Sequence, residues 1–229
     1  MQVSKEGKAL KPYYSDYGYR PLSEGLQTIE RPEYPFVLRW VTPGASVIDL
    51  GCGEGSLGRL LIEGLGCRVA GIDVSAEGVG QAQAKGIEAK LGDIDLGIDY
   101  PDGAFDFAIL NVTLQMVYQP AKVLAEALRV GRKAVVSFPN VAHWRARVDL
   151  LLSGRFPRAP LYGHPWHRTR HIHLFSYRDF CTLLSEQGVD ILDSAFHKGD
   201  SKTTGLLARA WPNLFSAVCL TLLEKRKSR

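Results

Sequence analysis

The chain has 229 residues, of which 45% are hydrophobic and 23% charged. This is an ordinary globular composition, and it excludes a disordered or collagen-like polypeptide. Lysine plus arginine exceeds aspartate plus glutamate by 28 − 24 = 4, too weak a bias by itself to argue for nucleic acid or a lipid surface.

Cys52, Cys67, Cys181 and Cys219 contain no C-x-x-C pair. That disfavours a zinc knuckle and a disulfide framework, and leaves reduced thiols in a cytoplasmic protein as the expectation. No apolar run reaches the ~18 residues of a membrane span, and no apolar h-region follows the first lysines, so neither membrane nor secretion is expected.

Residues 1–35 place Tyr13, Tyr14, Tyr17, Tyr19 and Tyr34 among prolines and charges. That mixture predicts an irregular N-terminal arm; the alternative is a flap whose rings close over a ligand. Residues 36–229 are expected to form one domain. Its first strand is Val47–Leu50, short, apolar and stopped by glycines, and a helix follows over Leu57–Leu65. Arg68–Val74 is the second strand, and Ser75 caps a helix running to Gly86. Ile87, Ala89 and Leu91 alternate in a half-buried third strand. Phe105–Asn111 is the fourth, Pro120 opens a helix that ends at Gly131, and Lys133–Phe138 is the fifth. Strands separated by helical runs of about ten to fifteen residues imply a parallel sheet with right-handed crossovers.

Val141, Trp144, Val148, Leu151 and Leu152 then predict a helix over residues 141–152. Residues 153–175 read as loop. Ser176 and Asp179 form a capping box for a helix through Gln187. Val189–Phe196 and Ser216–Leu223 are two antiparallel strands joined by a loop, and the basic end, Lys225–Arg229, is expected to fray.

The densest chemical signal is Asp49-Leu50-Gly51-Cys52-Gly53-Glu54-Gly55, between the first strand and its helix. Alternate glycines let the backbone turn sharply and let a ligand approach the main chain, at the strand end where α/β sheets bind nucleotides. A dinucleotide site wants G-x-G-x-x-G. Counting from Gly51, Ser56 stands where the third glycine would be, but Gly53-x-Gly55-x-x-Gly58 meets the pattern, so the glycines alone leave a dinucleotide open. Asp49 lies two residues before the first glycine. A carboxylate there repels a pyrophosphate and suits a ligand with an ammonium or sulfonium group; S-adenosylmethionine (SAM) has both and no phosphate. Asp73 ends the second strand 22 residues after Gly51, close to the ~20-residue offset of a ribose-binding acid. Asp93 ends the third strand, placed to accept from an adenine amine, with Val74 or Ile94 against the ring face.

With D-x-G-x-G-x-G, acids on the second and third strands, and Pro101–Asp106 (PDGAFD) leading into the fourth, residues 46–140 resemble the Rossmann-like methyltransferase superfamily. A narrower likeness over roughly Val41 to Leu223 is carried by LQMV, EALRVGRKAVVSFPN, HWR (His143–Arg145), HIHLFSYRDF (His171–Phe180) and WPNLF (Trp211–Phe215). These strings resemble the MetW family of methionine biosynthesis proteins, with residues 1–35 outside the match. The resemblance implies an α/β fold: a Rossmann-like, seven-stranded, mostly parallel sheet with an antiparallel C-terminal hairpin and helices on both faces. It implies contacts to SAM, or to its demethylated product S-adenosylhomocysteine (SAH), from Asp49, Gly51, Gly53, Asp73, Asp93 and Ile94, with Asn111 near the methionine end; Gly55 and Val74 complete the candidate set. It also implies a link to the homoserine O-acyltransferase step, in company with that enzyme. It implies no catalytic residue.

Methyl transfer is an in-line displacement to which positioning contributes most of the rate. A base matters only where the acceptor must lose a proton, so its absence decides nothing. Asn111-Val112-Thr113-Leu114 stands where amino-methylating enzymes of nucleobases carry N-P-P-[YF], which argues against that chemistry. His143, His164, His167, His171 and His173 cluster in one stretch, and residues 141–178 hold seven arginines against one acid, Asp149. Trp144, Phe156, Tyr162 and Trp166 are interleaved. Residues 141–178 are therefore expected to form a lid insertion suited to an anionic substrate or an acidic partner. A solvated basic loop is the plainer alternative, and RNA a third, disfavoured one. His171 and His173 share a face of an extended segment, but no acid or thiol adjoins them and no metal is expected. His143, just past the fifth strand, is the one catalytic candidate. Two functions follow: a SAM-binding accessory protein of methionine synthesis, or an active SAM-dependent methyltransferase on a small, anionic acceptor.

Overall fold

The structure, a computed structural model, describes residues 31, 33–158, 165–197 and 206–226. Seven strands form one sheet: β1 (Ser46–Leu50), β2 (Arg68–Asp73), β3 (Glu88–Leu91), β4 (Phe105–Asn111), β5 (Gly131–Pro139), β6 (Val189–His197) and β7 (Val218–Lys225). Their order is β3-β2-β1-β4-β5-β7-β6. The first five run parallel, and β7 inserts antiparallel between β5 and β6. The seven-stranded sheet with an antiparallel C-terminal pair is the one expected. The β6–β7 connection is more than a loop, since it carries two short helices, α7 (Leu206–Ala210) and α8 (Pro212–Phe215). Lys225, expected in a frayed tail, ends β7; residues 227–229 lie outside the described residues.

Six further helices are α1 (Tyr34–Trp40), α2 (Ser56–Leu65), α3 (Ala76–Ala84), α4 (Pro120–Val130), α5 (Trp144–Ser153) and α6 (Tyr177–Glu186). Their ends follow the local chemistry. Ser75 accepts from the Gly78 N–H, Pro120 occupies the first turn of α4, and Ser176 and Asp179 form the expected reciprocal capping box. α1 starts two residues before the expected domain start, with Pro35 in its first turn. The other four arm tyrosines lie outside the described residues.

The period-two alternation of β1 sorts its side chains onto two faces. Ile48 and Leu50 pack with Leu124 and Leu128 of α4 and with Phe180 and Leu184 of α6. Val47 packs on the opposite face with Val37 of α1, Leu57 and Leu61 of α2 and Val79 of α3. Each such buried aliphatic side chain contributes roughly 1.5–3 kcal/mol. Asp49 shares the Val47 face. On the other side, Phe138 of β5 meets Phe175 and Phe180 with ring centroids 4.8 and 4.7 Å apart, which ties the chain returning from α5 to the sheet.

One expectation about apolar residues fails, and one predicted helix starts late. Leu91 ends the edge strand β3 exposed, although Ala89 on the same face is buried. α5 begins at Trp144 rather than at residue 141, and of its side chains only Ala146 is buried; its helical periodicity records an outward apolar stripe, not a core face.

Candidate functional site

The strand order reverses between β1 and β4, and the carboxyl ends of these neighbours bound the crevice where open α/β sheets bind ligands. The glycine turn leaves β1 there. Gly51 has φ +84°, and a Cβ on it would lie 2.7 Å from Thr113 Cγ2 and 2.8 Å from its Oγ1. Gly55 has φ +79° and a Cβ there would collide with Ile87 and Ala82. Both glycines are therefore required twice over, by backbone conformation and by space.

Within the turn, Gly51 and Cys52 donate their N–H groups to Ile72 O (2.8 and 3.2 Å), Gly53 donates to Asp73 Oδ2 (2.7 Å), and Gly55 donates to Cys52 O (2.9 Å). Four amide donors of the turn, those of Gly51, Cys52, Gly53 and Gly55, are thus engaged within the fold. The helix-packing role that a dinucleotide motif gives its third glycine falls to Gly58, where a Cβ would sit 2.6 Å from Ile87 and 3.2 Å from Val69. Gly58 stands at the third position of the Gly53-x-Gly55-x-x-Gly58 string.

Asp49 is 3% exposed, and its Oδ1 accepts no hydrogen bond among the described residues. Burial pushes its carboxyl up to about 7; the Asp73 charge pushes the same way and Arg31 opposes. Asp73 ends β2 as expected. Its Oδ2 takes the Gly53 N–H and its Oδ1 the Ser75 N–H at 2.8 Å, so it shapes the turn and the start of α3 at once, and each oxygen keeps a second lone pair. Val74 beside it is half-buried. Asp93 is not the last residue of β3, as expected, but stands two residues beyond it, buried, with Oδ1 accepting from the Asp95 N–H at 3.0 Å. Ile94 packs into the core with Ile48, Leu50 and Ile72. Asn111 ends β4, and its Oδ1 accepts from Ser137 Oγ at 2.7 Å. The next residue, Val112, has φ 56°, alone among described non-glycine residues in a positive φ, and its N–H bonds Ser137 O and Oγ. A β-branched residue held there is local strain at the rim of the crevice.

Two residues unforeseen in sequence, Arg31 and Glu33, join this side together with Tyr34 of the expected arm. Glu33 is buried, its Oε2 accepts no hydrogen bond among the described residues, and Arg31 Nη1 lies 3.9 Å from its Oε1. Burial raises the Glu33 carboxyl, and Arg31 partly offsets it. Tyr34 packs with Val47, Cys52 and Leu57. Burial raises its phenol, Arg31 opposes, and the charges of Asp49, Glu33 and Glu54 add to the rise. The segment before α1 therefore forms part of the same electrostatic environment as the glycine turn. The available sequence signal was Pro35, a first-turn helix residue hidden among the arm's other prolines.

The histidine-rich stretch is partly described; Tyr162 and His164 lie outside the described residues. His143 is buried at the N-cap of α5, its N–H donating to Asn140 O at 3.3 Å and its ring 5.9 Å from that of Trp144. Ile172 and His173 donate backbone N–H groups to Gln115 O, and His173 Nε2 lies 3.3 Å from Tyr118 O. This return segment packs on the turn that follows β4. Among the described residues no group of three His, Cys, Asp or Glu is arranged to hold a metal, and no helix is long and apolar enough to cross a membrane.

Comparison with known proteins agrees with this arrangement. The chain is 34% identical over 170 residues to the bifunctional methionine biosynthesis protein MetXA/MetW of Rhodopirellula baltica, a match covering 70% of this chain and 27% of that protein. It spans 31% and 33% of the length of two further curated relatives. Among solved structures, the methyltransferase in complex with the Haloferax volcanii Trm112 methyltransferase activator superposes with a TM-score of 0.65 at 17% identity, covering 89% of this chain and 93% of that one. The Burkholderia thailandensis 1,6-didemethyltoxoflavin-N1-methyltransferase, solved with bound SAH, gives 0.57 at 17% identity, covering 86% and 78%. At such identity these two show the fold, which is that of the SAM-dependent methyltransferases. The family model described as methionine biosynthesis protein MetW matches residues 31–223, beginning at the Arg31 and Glu33 segment that sequence reading had left outside. The chain belongs to the MetW family.

Proposed function

We propose that this protein binds SAM and SAH at the carboxyl ends of β1–β4 and serves methionine biosynthesis as a companion of homoserine O-acyltransferase. One observation carries the ligand reading: the buried Asp49 carboxyl, one of whose oxygens accepts no hydrogen bond among the described residues, lies beside Asp73 at a turn four of whose amide donors are already engaged. Such a place repels a phosphate and stabilises a cation. In this reading Asp49 faces the charged end of the ligand, Gly51, Gly53 and Gly55 let its body approach the main chain, and Asp73 accepts from the ribose. Asp93 accepts from the adenine, Val74 and Ile94 supply apolar surface, and Asn111 borders the methionine end. SAM, when bound, supplies a methyl group activated by a sulfonium.

Calorimetric titration tests the ligand. Binding of SAM and SAH, and none of a nicotinamide dinucleotide, is expected; the reverse preference overturns it. The companion reading is supported by family membership and by the MetXA/MetW name of the Rhodopirellula relative. It requires that the chain co-purify with the acyltransferase of the same source and change its acylation rate.

A second reading, an active methyltransferase on a small anionic acceptor, is favoured by the exposed Arg145, Arg147, Arg155 and Arg158, in the segment that follows β5. Tight SAM binding without methylation of any carboxylate or phenol in a broad panel would rule it out.

A further inference from the structure

Trp144, Val148, Leu151 and Leu152 recur at the i, i+4, i+7, i+8 spacing of one helical face, yet in α5 that face points away from the domain. Trp144 is 41% exposed, Val148 42%, Leu151 82% and Leu152 79%, and Phe156, just past the C-cap Gly154, is exposed as well. A single exposed leucine needs no explanation, but a continuous apolar stripe along a whole helix marks a surface that another molecule covers.

The surroundings of the stripe carry a definite charge. Arg145 and Arg147 flank it on either side, Arg155 and Arg158 follow beyond the helix end, and all four are exposed. The Arg145 guanidinium lies 5.5 Å from the centre of the Trp144 ring. Asp149 is the one acid between residues 141 and 178. Two copies of the chain meeting face to face through this stripe would set arginine rim against arginine rim, which a self-complementary contact does not tolerate well. A partner with an apolar patch bounded by carboxylates meets the stripe and both its flanks.

We propose that the outward face of α5 is the docking surface for homoserine O-acyltransferase, which would present an apolar patch edged with acids. This rests on the companion reading above. α5 follows the carboxyl end of β5, the same edge of the sheet from which the glycine turn leaves β1, so the bound enzyme sits on the ligand-binding edge of the domain.

The test measures affinity for the acyltransferase of the same source by sedimentation and biolayer interferometry. It uses the full-length chain, the double variant L151D/L152D and the charge reversal R145E/R147E, with a SAM titration of each as the check on folding. The expected result is a complex with the unaltered chain, a loss of at least tenfold in affinity in each double variant, and SAM affinity within twofold of the original. Undiminished binding in both variants overturns the assignment of this face while leaving the companion reading intact. No complex with the unaltered chain overturns the companion reading and the docking surface with it. Self-association that L151D/L152D abolishes would make the occupant a second copy and overturn the proposal.

Discussion

Replacing Asp49 by asparagine removes a buried charge that destabilises the empty fold. Burial and Asp73 hold its carboxyl at about 7, against about 4 in an unfolded chain. The raised value reverses the usual behaviour of a carboxylate. Between about pH 4 and pH 7 the folded chain holds a proton here that the unfolded chain has lost, so stability from this site is fully present below pH 4 and declines as pH rises to 7. At about 1.4 kcal/mol per pH unit, the difference reaches about 4 kcal/mol at neutral pH as an upper bound. Urea denaturation of Asp49→Asn is therefore expected to show higher stability than the parent at pH 7.5 and a difference that shrinks toward zero at pH 4.5. The same substitution is expected to weaken SAM and SAH by roughly 1.5–3 kcal/mol, the effect of losing a contact to a charged group. In the parent, binding a cation requires the ionised carboxylate, so affinity falls about tenfold per unit as pH drops below 7, and in the variant this dependence flattens. A variant less stable than the parent at pH 7.5, or one binding SAM equally well with the same pH profile, refutes the reasoning.

Asp73→Ala removes acceptors from both the Gly53 and Ser75 N–H groups; calorimetry is expected to show SAH binding weakened by about 1.5–3 kcal/mol or more, and thermal melting a loss of stability as well. Gly51→Ala forces a Cβ onto Thr113 in a left-handed backbone and is expected to destabilise by about 1–3 kcal/mol; Thr113→Ala in the same chain recovers the steric part, read as a partial return of Tm. Ser176→Ala breaks one half of the α6 capping box and is expected to lower stability by about 1 kcal/mol without altering SAH affinity; a change in affinity would tie the α6 start to the ligand site.

Much of this architecture was legible in the chain because its signals are local. Val47–Leu50 followed by alternate glycines, Pro120 at a helix start, and the Ser176–Asp179 box each fix a short stretch through backbone sterics and nearby hydrogen bonds, and each stands where expected. The acids Asp49 and Asp73 were visible because a strand end is a position in sequence as well as in space. What escaped depended on neighbours distant along the chain. Nothing in Glu33 announces that it is buried beside Arg31 before α1, and nothing in Val112 announces the Ser137 contacts that hold its positive φ. The apolar period of α5 predicted a helix but left its orientation open, because periodicity records which side chains share a face and not what that face meets. Burial and charge environment are sums over the whole packed molecule. The sequence by itself determined the strand–turn–helix frame and its carboxylates; only the tertiary structure decided that the Asp49 carboxyl is dry and that the greasy side of α5 looks outward.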